Sequence, residues 1–222
     1  MTACAFVVLI GVLGTSAFGA EELSTYRGFR LGMDLSAAAK QAGIEASEAK
    51  PVHQRPALIQ KLDWQPGALG YSGDKDTIKE GSLSFYDGAL YRIVVTYDRD
   101  RVEGLTTDDM IAAISSTYGI ATRPKADIAY HSNYAEMAQV IARWQDSQYS
   151  FNLVRSGYGD SFALVMYSKR LDALAATAIT EAARLDAIEA PERAIEASRK
   201  QEQDDRLSLE KARLVNARNF KP

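Results

Sequence analysis

Two stretches of the chain, residues 31–44 and 105–120, carry apolar side chains three or four positions apart, the spacing of an amphipathic helix. Asp34, and Thr106 followed by Asp109, are typical of the residues that begin a helix. Each stretch ends in Gly-Ile, and glycine is the residue that most often ends a helix. We therefore expect one short helix in each stretch.

After each helical stretch the pattern changes to the alternation of β-strands. The Asp87-Gly88 pair stands between two alternating runs, which is a strong signal for a hairpin, and a Gly157–Gly159 turn is expected in the second set. The charged run at 98–101 is expected to be a loop between the sets. The expected strands are 57–64, 82–86 and 90–97 in the first set, and 140–144, 149–155 and 161–167 in the second.

The matching order of the two sets predicts two copies of one unit, about 26–98 and about 105–168, within a domain of residues 21–168. The expected fold class is α+β: tandem helix-plus-three-strand units that form an antiparallel sheet with helices on one face, followed by a long C-terminal helix. The alternative is that helix, strand and hairpin recur in this order by chance.

The segment Gly28-Phe-Arg-Leu-Gly-Met-Asp-Leu-Ser36, followed by an alanine-rich helix, resembles the opening motif of small bacterial envelope domains. These are the SmpA/OmlA lipoproteins and the β-lactamase-inhibitor-protein-like fold, and the resemblance covers residues 26–168 in architecture. The chain departs from the pattern because it has no lipid-attachment cysteine and its helix lacks the usual Glu-Val pair. The resemblance implies a non-catalytic binding or assembly module and transfers no functional residue.

The first twenty residues carry no charge and contain the apolar run Phe6–Leu13, followed by small residues. This pattern is typical of a secretory signal peptide, here residues 1–20, and predicts a periplasmic or secreted protein. Because no basic residue precedes the run, either the true start lies upstream or the segment is an uncleaved anchor. Membrane contact is expected only if the segment is uncleaved. Cys4 is the only cysteine, so the mature chain would have neither a disulfide nor a thiolate metal site.

Composition and motifs indicate no catalytic, metal or cofactor site. The net charge of −3 lacks the basic excess that nucleic-acid binding usually needs. His53 and His131 are too few for zinc, and we expect His53 in a loop. Ser72 lacks the second glycine of a nucleophile elbow, residues 156–160 lack the lysine of a phosphate loop, and residues 74–80 lack the glycine of a calcium loop. The last of these is interpreted as a solvated loop.

Eleven tyrosines, several of them on the expected strands, point to a sheet face that contacts a partner. If Tyr91, Ile93 and Val95 face the helices, alternation turns the residues between them outward. The alternative is an ordinary solvated face. The expected partner surface consists of Tyr86, Arg92, Val94, Thr96, Asn152 and Tyr167.

The tail, residues 169–222, predicts a charged helix. Apolar residues recur every three or four positions from Leu171 to Ile188, and opposite charges then alternate up to residue 218. Pro191 either breaks this helix or restarts it. The first part would pack on its own domain or pair with another chain.

These features predict an exported, non-enzymatic envelope protein that acts as a protein-binding or assembly module. The expected partner is another envelope protein or a second copy, reached through the C-terminal helix. Two alternatives stay open: an envelope enzyme with a site of carboxylates and tyrosines that no motif reveals, and a structural oligomer assembled through the tail.

Overall fold

The computed structural model describes residues 22–66, 76–124, 128–130, 137–156, 162–219 and 221. Several sequence-based expectations therefore lie outside the described residues: the signal segment 1–20, Ser72, Asp74, His131 and the turn at 157–159.

The described residues form ten strands, of which eight build one antiparallel sheet. The short strands β1 (Thr25–Tyr26) and β2 (Phe29–Arg30) pair only with each other. The other strands are β3 (Lys50–His53), β4 (Ile59–Trp64), β5 (Ile78–Tyr86), β6 (Ala89–Tyr97), β7 (Ile128–Tyr130), β8 (Met137–Gln145), β9 (Tyr149–Ser156) and β10 (Phe162–Ser168). Their order in the sheet is β3-β4-β5-β6-β10-β9-β8-β7.

Four α-helices accompany the sheet in the described ranges: α1 (Leu35–Ala42), α2 (Arg99–Val102), α3 (Thr107–Tyr118) and α4 (Lys169–Asn219). The predicted start signals of α1 and α3 are confirmed. The carboxylate of Asp34 accepts the N–H of Ala37 at 2.9 Å, and Thr106 and Asp109 form a reciprocal capping box. These caps satisfy backbone N–H groups that the first turn of a helix leaves without partners.

The sheet is symmetrical about its central pair, β6 and β10, in which Val94 lies opposite Val165. Each half contributes one helix and four adjacent strands, so the α+β fold class is confirmed, with one short outer strand more per unit than expected. These additional strands, β3 and β7, are the two edges of the sheet. The symmetry supports the predicted duplication, which itself stays a prediction.

Both α1 and α3 pack on one face of the sheet, and the two tryptophans occupy matching places beneath them. The indole N–H of Trp144, on β8, donates to the carbonyl of Gly119 at the end of α3, at 2.9 Å. Trp64, on β4, meets Phe29 edge to face with ring centroids 4.9 Å apart. The second tryptophan is therefore held by a helix end, and the first by the β1–β2 hairpin.

Both glycines of the opening motif lie where the backbone turns. Gly28 has φ +85°, directly after Arg27 with φ +49°, and closes the β1–β2 hairpin. Gly32 has φ +94° just before α1. A side chain at Gly28 would also collide with Gln41, whose amide donates to the carbonyl of Arg27 at 3.2 Å. The motif thus fixes how the chain enters α1.

Three expected loop segments belong to regular structure. His53 ends strand β3 opposite Ile59. Ile78–Glu80, expected in a loop, begin β5. The charged run 98–101 forms the start of α2, because the carboxylate of Asp98 accepts the N–H of Asp100 and caps the helix. In each case the local pattern is too short to be read from polarity alone.

Tyr91 does not face α1 and α3, which corrects the expected alternation of β6. Arg92 pairs with Ser84 and Leu90 with Phe85, so Tyr91 is an extra residue in this strand. The bulge turns Tyr91 to the opposite face of the sheet, where it is 4% exposed. Beyond the bulge, Ile93 and Val95 do pack under the helices as expected.

Candidate interaction surface

The residues predicted to form a partner surface lie together on the face of the sheet opposite α1 and α3, hereafter the outer face. On the central strand pair, Arg92 is opposite Tyr167, and Thr96 is opposite Ala163. Val165 connects this pair to Asn152 on β9. Tyr86 lies on the same face, at the end of β5.

Part of the outer face is already covered by the first half of α4. Leu171 and three alanines of this helix are buried, and Leu171 and the first two alanines pack with Ala57, Ile59 and Tyr91 of the first unit. Alanine side chains bring the helix backbone close to the sheet but bury little apolar area. The alanines are Ala175, Ala178 and Ala182.

Two ion pairs hold the docked part of α4 near its beginning and its end. The guanidinium of Arg92 donates from Nε to Oδ1 of Asp172 at 2.9 Å, and both side chains are about four-fifths buried. Further along, Arg55 donates through both terminal nitrogens to the carboxylate of Glu189, with Nη1 to Oε1 at 2.7 Å. Glu189 of the second pair is half-buried, and every residue of α4 after it is exposed.

The start of α4 is fixed to the second unit as well. The helix follows β10 without a linker, since Ser168 ends the strand and Lys169 begins the helix. The ammonium group of Lys169 donates to the carbonyl of Asp146 at 2.6 Å and to Oε1 of Gln145 at 3.1 Å. Its backbone N–H donates to the carbonyl of Gln148. The direction of α4 is therefore set by contacts with both units.

The predicted partner surface is partly covered. Arg92 and Tyr86 are engaged under or beside α4. Asn152 is 3% exposed, and its amide donates to Ser150 while its carbonyl accepts from Arg143 at 2.7 Å. The remaining residues, Val94, Thr96 and Tyr167, are half-buried. The part of the outer face around Tyr91 is therefore a packing surface for the chain's own helix, whereas Val94 and Tyr167 belong to a neighbouring cluster that contains no residue of α4.

Pro191 does not break α4, which is continuous over 51 residues. Proline has no N–H to donate to the carbonyl of Ala187, one turn earlier. Beside that position, the guanidinium of Arg193 donates to the backbone carbonyl of Asp186 at 3.0 Å and to its carboxylate at 3.1 Å. An arginine side chain thus supplies hydrogen bonds to the helix next to the gap that the proline makes.

The second half of α4, residues 190–219, is exposed along its whole length. We call it the projecting arm. It is about 45 Å long at the rise of an α-helix. Its exposed apolar residues include Ile195 at 53% and Leu209 at 71%.

A cluster of tyrosines with one ion pair lies near the β1–β2 hairpin. Tyr26 and Tyr97 share a hydrogen bond, and burial raises the pKa of both hydroxyls. Arg27 pairs with Asp76 at 2.7 Å. Burial opposes ionisation of Asp76, but the N–H of Ile78 and the guanidinium of Arg27 outweigh it and lower the pKa of that carboxyl. Each group is thereby stabilised in its ordinary protonation state.

Within the described ranges, the buried polar side chains are Ser24, Ser150, Asn152 and Ser168, with no carboxylate among them. No group of three or more His, Cys, Asp or Glu residues in those ranges is placed to hold a metal. No described helix is long and apolar enough to span a bilayer. A shallow depression of about 400 Å³ beside β3 is lined by residues 47–51 with Leu62 and Asp63.

Comparison with family models, with curated proteins and with solved structures found no match to this chain.

Proposed function

We propose that this protein is an exported, non-enzymatic binding or assembly module of the cell envelope, whose projecting arm contacts another envelope protein. The observation that carries the proposal is the arm itself. The arm is a regular helix in which each of residues 190–219 is exposed. It continues the first half of α4, which is held on the sheet domain. The domain serves as the scaffold that orients it.

The charge pattern of the arm supports a stable helix in water. A helix that is polar on all sides needs charged pairs four residues apart. The arm has oppositely charged residues at this spacing, such as Glu196 with Lys200 and Glu202 with Arg206. Because the helix is already nucleated on the sheet, the arm does not bear the cost of starting a helix.

A preformed helix is well suited to binding, since a partner does not have to order it. Ordering a flexible segment costs free energy that would otherwise contribute to affinity. The hydrogen bond from Lys169 to the carbonyl of Asp146 and the ion pair between Arg55 and Glu189 keep the arm in one direction relative to the sheet. These contacts support the role of the sheet domain as a scaffold that presents the arm to a partner.

The envelope location rests on the apolar segment 1–20, and the resemblance to SmpA/OmlA lipoproteins and the β-lactamase-inhibitor-protein-like fold is part of the same proposal. The positive φ of Gly28 and Gly32 supports that resemblance, because it explains why the motif has glycine at these two positions.

A crosslinked pull-down from native envelopes tests the proposal. The full chain is compared with the double variant Ile195→Ser, Leu209→Ser, and with the control Val52→Ser, which changes a residue 50% exposed on edge strand β3. We expect the arm variant to lose a protein that the control retains, with unchanged circular dichroism in both. Recovery of the same proteins by all three chains would contradict the proposal.

A further inference from the structure

Pro191 lies where α4 leaves the sheet domain. Glu189, two residues earlier, is the last half-buried residue of α4, and every residue after it is exposed. A proline inside a helix removes one backbone hydrogen bond, and its ring crowds the carbonyl one turn earlier, so sharp bends of helices concentrate at prolines. The carbonyl affected here is that of Ala187. We call residues 186–193 the joint between the docked half of α4 and the arm.

Four charged side chains surround this joint, two of each sign. The guanidinium of Arg193, after the proline, donates to the backbone carbonyl of Asp186, before it, at 3.0 Å and to the carboxylate of Asp186 at 3.1 Å. Arg55, in the connection between β3 and β4, donates through both terminal nitrogens to the carboxylate of Glu189. The first pair spans the proline, and the second ties the helix to the sheet domain beside it. We call the four side chains the charge cluster.

The two ion pairs act on each other, because Glu189 follows Asp186 by three residues and precedes Arg193 by four on the same side of the helix. Arg55 lowers the pKa of the Glu189 carboxyl against the effect of desolvation, and Arg193 lowers it further, whereas Asp186 raises it. Exposed ion pairs hold a structure only where they are bidentate or form a network, and both conditions are met here. Because all four side chains are about a third to a half exposed, salt weakens their attraction.

We propose that the joint at Pro191 is a hinge, and that the charge cluster is the latch that holds the projecting arm in one direction. The proline weakens the helix where the arm begins, and the cluster compensates through side chains that salt or a charged group of a partner displaces. The arm amplifies a small rotation, since a bend of about 20° at Pro191 moves its far end by roughly 15 Å. This inference rests on the proposed function of the arm and adds its regulation.

Distances between two nitroxide labels, measured by double electron–electron resonance on the full chain, test the hinge. The first labelled pair is Val52→Cys on edge strand β3 with Leu209→Cys on the arm. The second pair keeps Val52→Cys and uses Leu174→Cys, which is exposed on the docked half of α4. Both are made with Cys4→Ser, since Cys4 is the only cysteine of the chain.

Low salt should give a narrow distribution of distances for both pairs. At about 1 M salt, where the screening length falls to about 3 Å, the pair with position 209 should widen by roughly 5–10 Å. This width follows from the position of the label about 27 Å along the helix from Pro191, which turns a bend of about 20° into such a displacement. The pair with position 174 should stay narrow.

Two variants assign the movement to the latch and to the proline. Arg55→Gln with Arg193→Gln removes both cations of the charge cluster, and it should widen the distribution at position 209 in low salt as much as high salt does in the wild type. Adding Pro191→Ala should restore a narrow distribution, because the new N–H donates to the carbonyl of Ala187.

The matched control is Arg184→Gln. It also removes an exposed arginine of α4, but the pair of Arg184 with Glu181 lies within the docked half and does not span the proline. Both distributions should stay as narrow as in the wild type. Circular dichroism should confirm that every variant folds, since the replaced side chains are exposed.

Three results would overturn the inference. A narrow distribution at position 209 in the Arg55, Arg193 variant would show that the charge cluster is no latch. A distribution that stays wide after Pro191→Ala would place the movement elsewhere than at the proline. Widening at position 174 would mean that the whole of α4 leaves the sheet. Because these measurements contain no partner, the hinge can fail while the pull-down still supports the proposed function.

Discussion

The guanidinium of Arg92 on strand β6 donates to the carboxylate of Asp172 in the first turn of α4, with Nε 2.9 Å from Oδ1. The same guanidinium lies 5.7 Å from the ring centre of Tyr91 and 5.9 Å from that of Tyr167. A residue expected to face a partner therefore holds the chain's own helix.

Replacing Asp172 by asparagine should destabilise the protein by about 1–2 kcal/mol, because the pair is mostly buried and its hydrogen bonds are charge-assisted. Urea unfolding measures this as a lower midpoint. The matched control is Glu181→Gln, which removes an exposed pair with Arg184 and should leave the midpoint unchanged. Equal midpoints for Asp172→Asn and the wild type would show that the pair does not hold the helix.

Gly81→Ala should destabilise the protein by about 1–3 kcal/mol, because a Cβ at this position would lie 2.5 Å from the ring of Trp64. Thermal unfolding and tryptophan emission measure the effect. The neighbouring variant Ser82→Ala is the control. The buried hydroxyl of Ser82 has no hydrogen-bond partner among the described residues, so its removal should be neutral or stabilising. A stable Gly81→Ala variant would contradict the close packing over β5.

Stability should fall as the pH rises above about 10, the ordinary pKa of tyrosine. Burial raises the pKa of Tyr97 and of Tyr26 in the folded protein, so above this pH the unfolded chain gives up protons that the native state still holds. Tyr97→Phe should make the fall less steep. Ultraviolet absorbance of tyrosinate, recorded together with circular dichroism, shows whether ionisation and unfolding coincide. Ionisation of Tyr26 and Tyr97 at a lower pH than unfolding would disprove the account.

Pro191→Ala should slow hydrogen exchange of the backbone between residues 188 and 195. The new N–H can donate to the carbonyl of Ala187, and the helix loses a proline that costs about 3 kcal/mol in its interior. Arg193→Ala should act in the opposite direction, since it removes the hydrogen bonds to Asp186. Faster exchange in Pro191→Ala would mean that the proline does not strain the helix.

Much of the domain follows from local pattern. Caps at Asp34 and Thr106 predict the starts of α1 and α3, and alternation around Asp87-Gly88 predicts the β5–β6 hairpin. The edge strand β3 was missed because it is only four residues long and contains Pro51, which hides any alternation. The bulge at Tyr91 was missed because one extra residue leaves no sign in the sequence.

The interaction surface could be predicted only in part. The outer-face residues do lie together, but an alanine-rich stripe does not say what it packs against, so the covering of Arg92 and Tyr86 could not be read from the sequence. The continuity of α4 through Pro191 depends on the anchored first half and on Arg193, which are tertiary and long-range effects.

Photo-crosslinking in the producing cells tests the central claim most directly. A photoreactive amino acid replaces Leu209 on the arm in one chain, and Val52 on edge strand β3 in another. Binding through the arm predicts a discrete adduct with a second protein from position 209 and none from position 52. Adducts from position 52 alone would contradict the account.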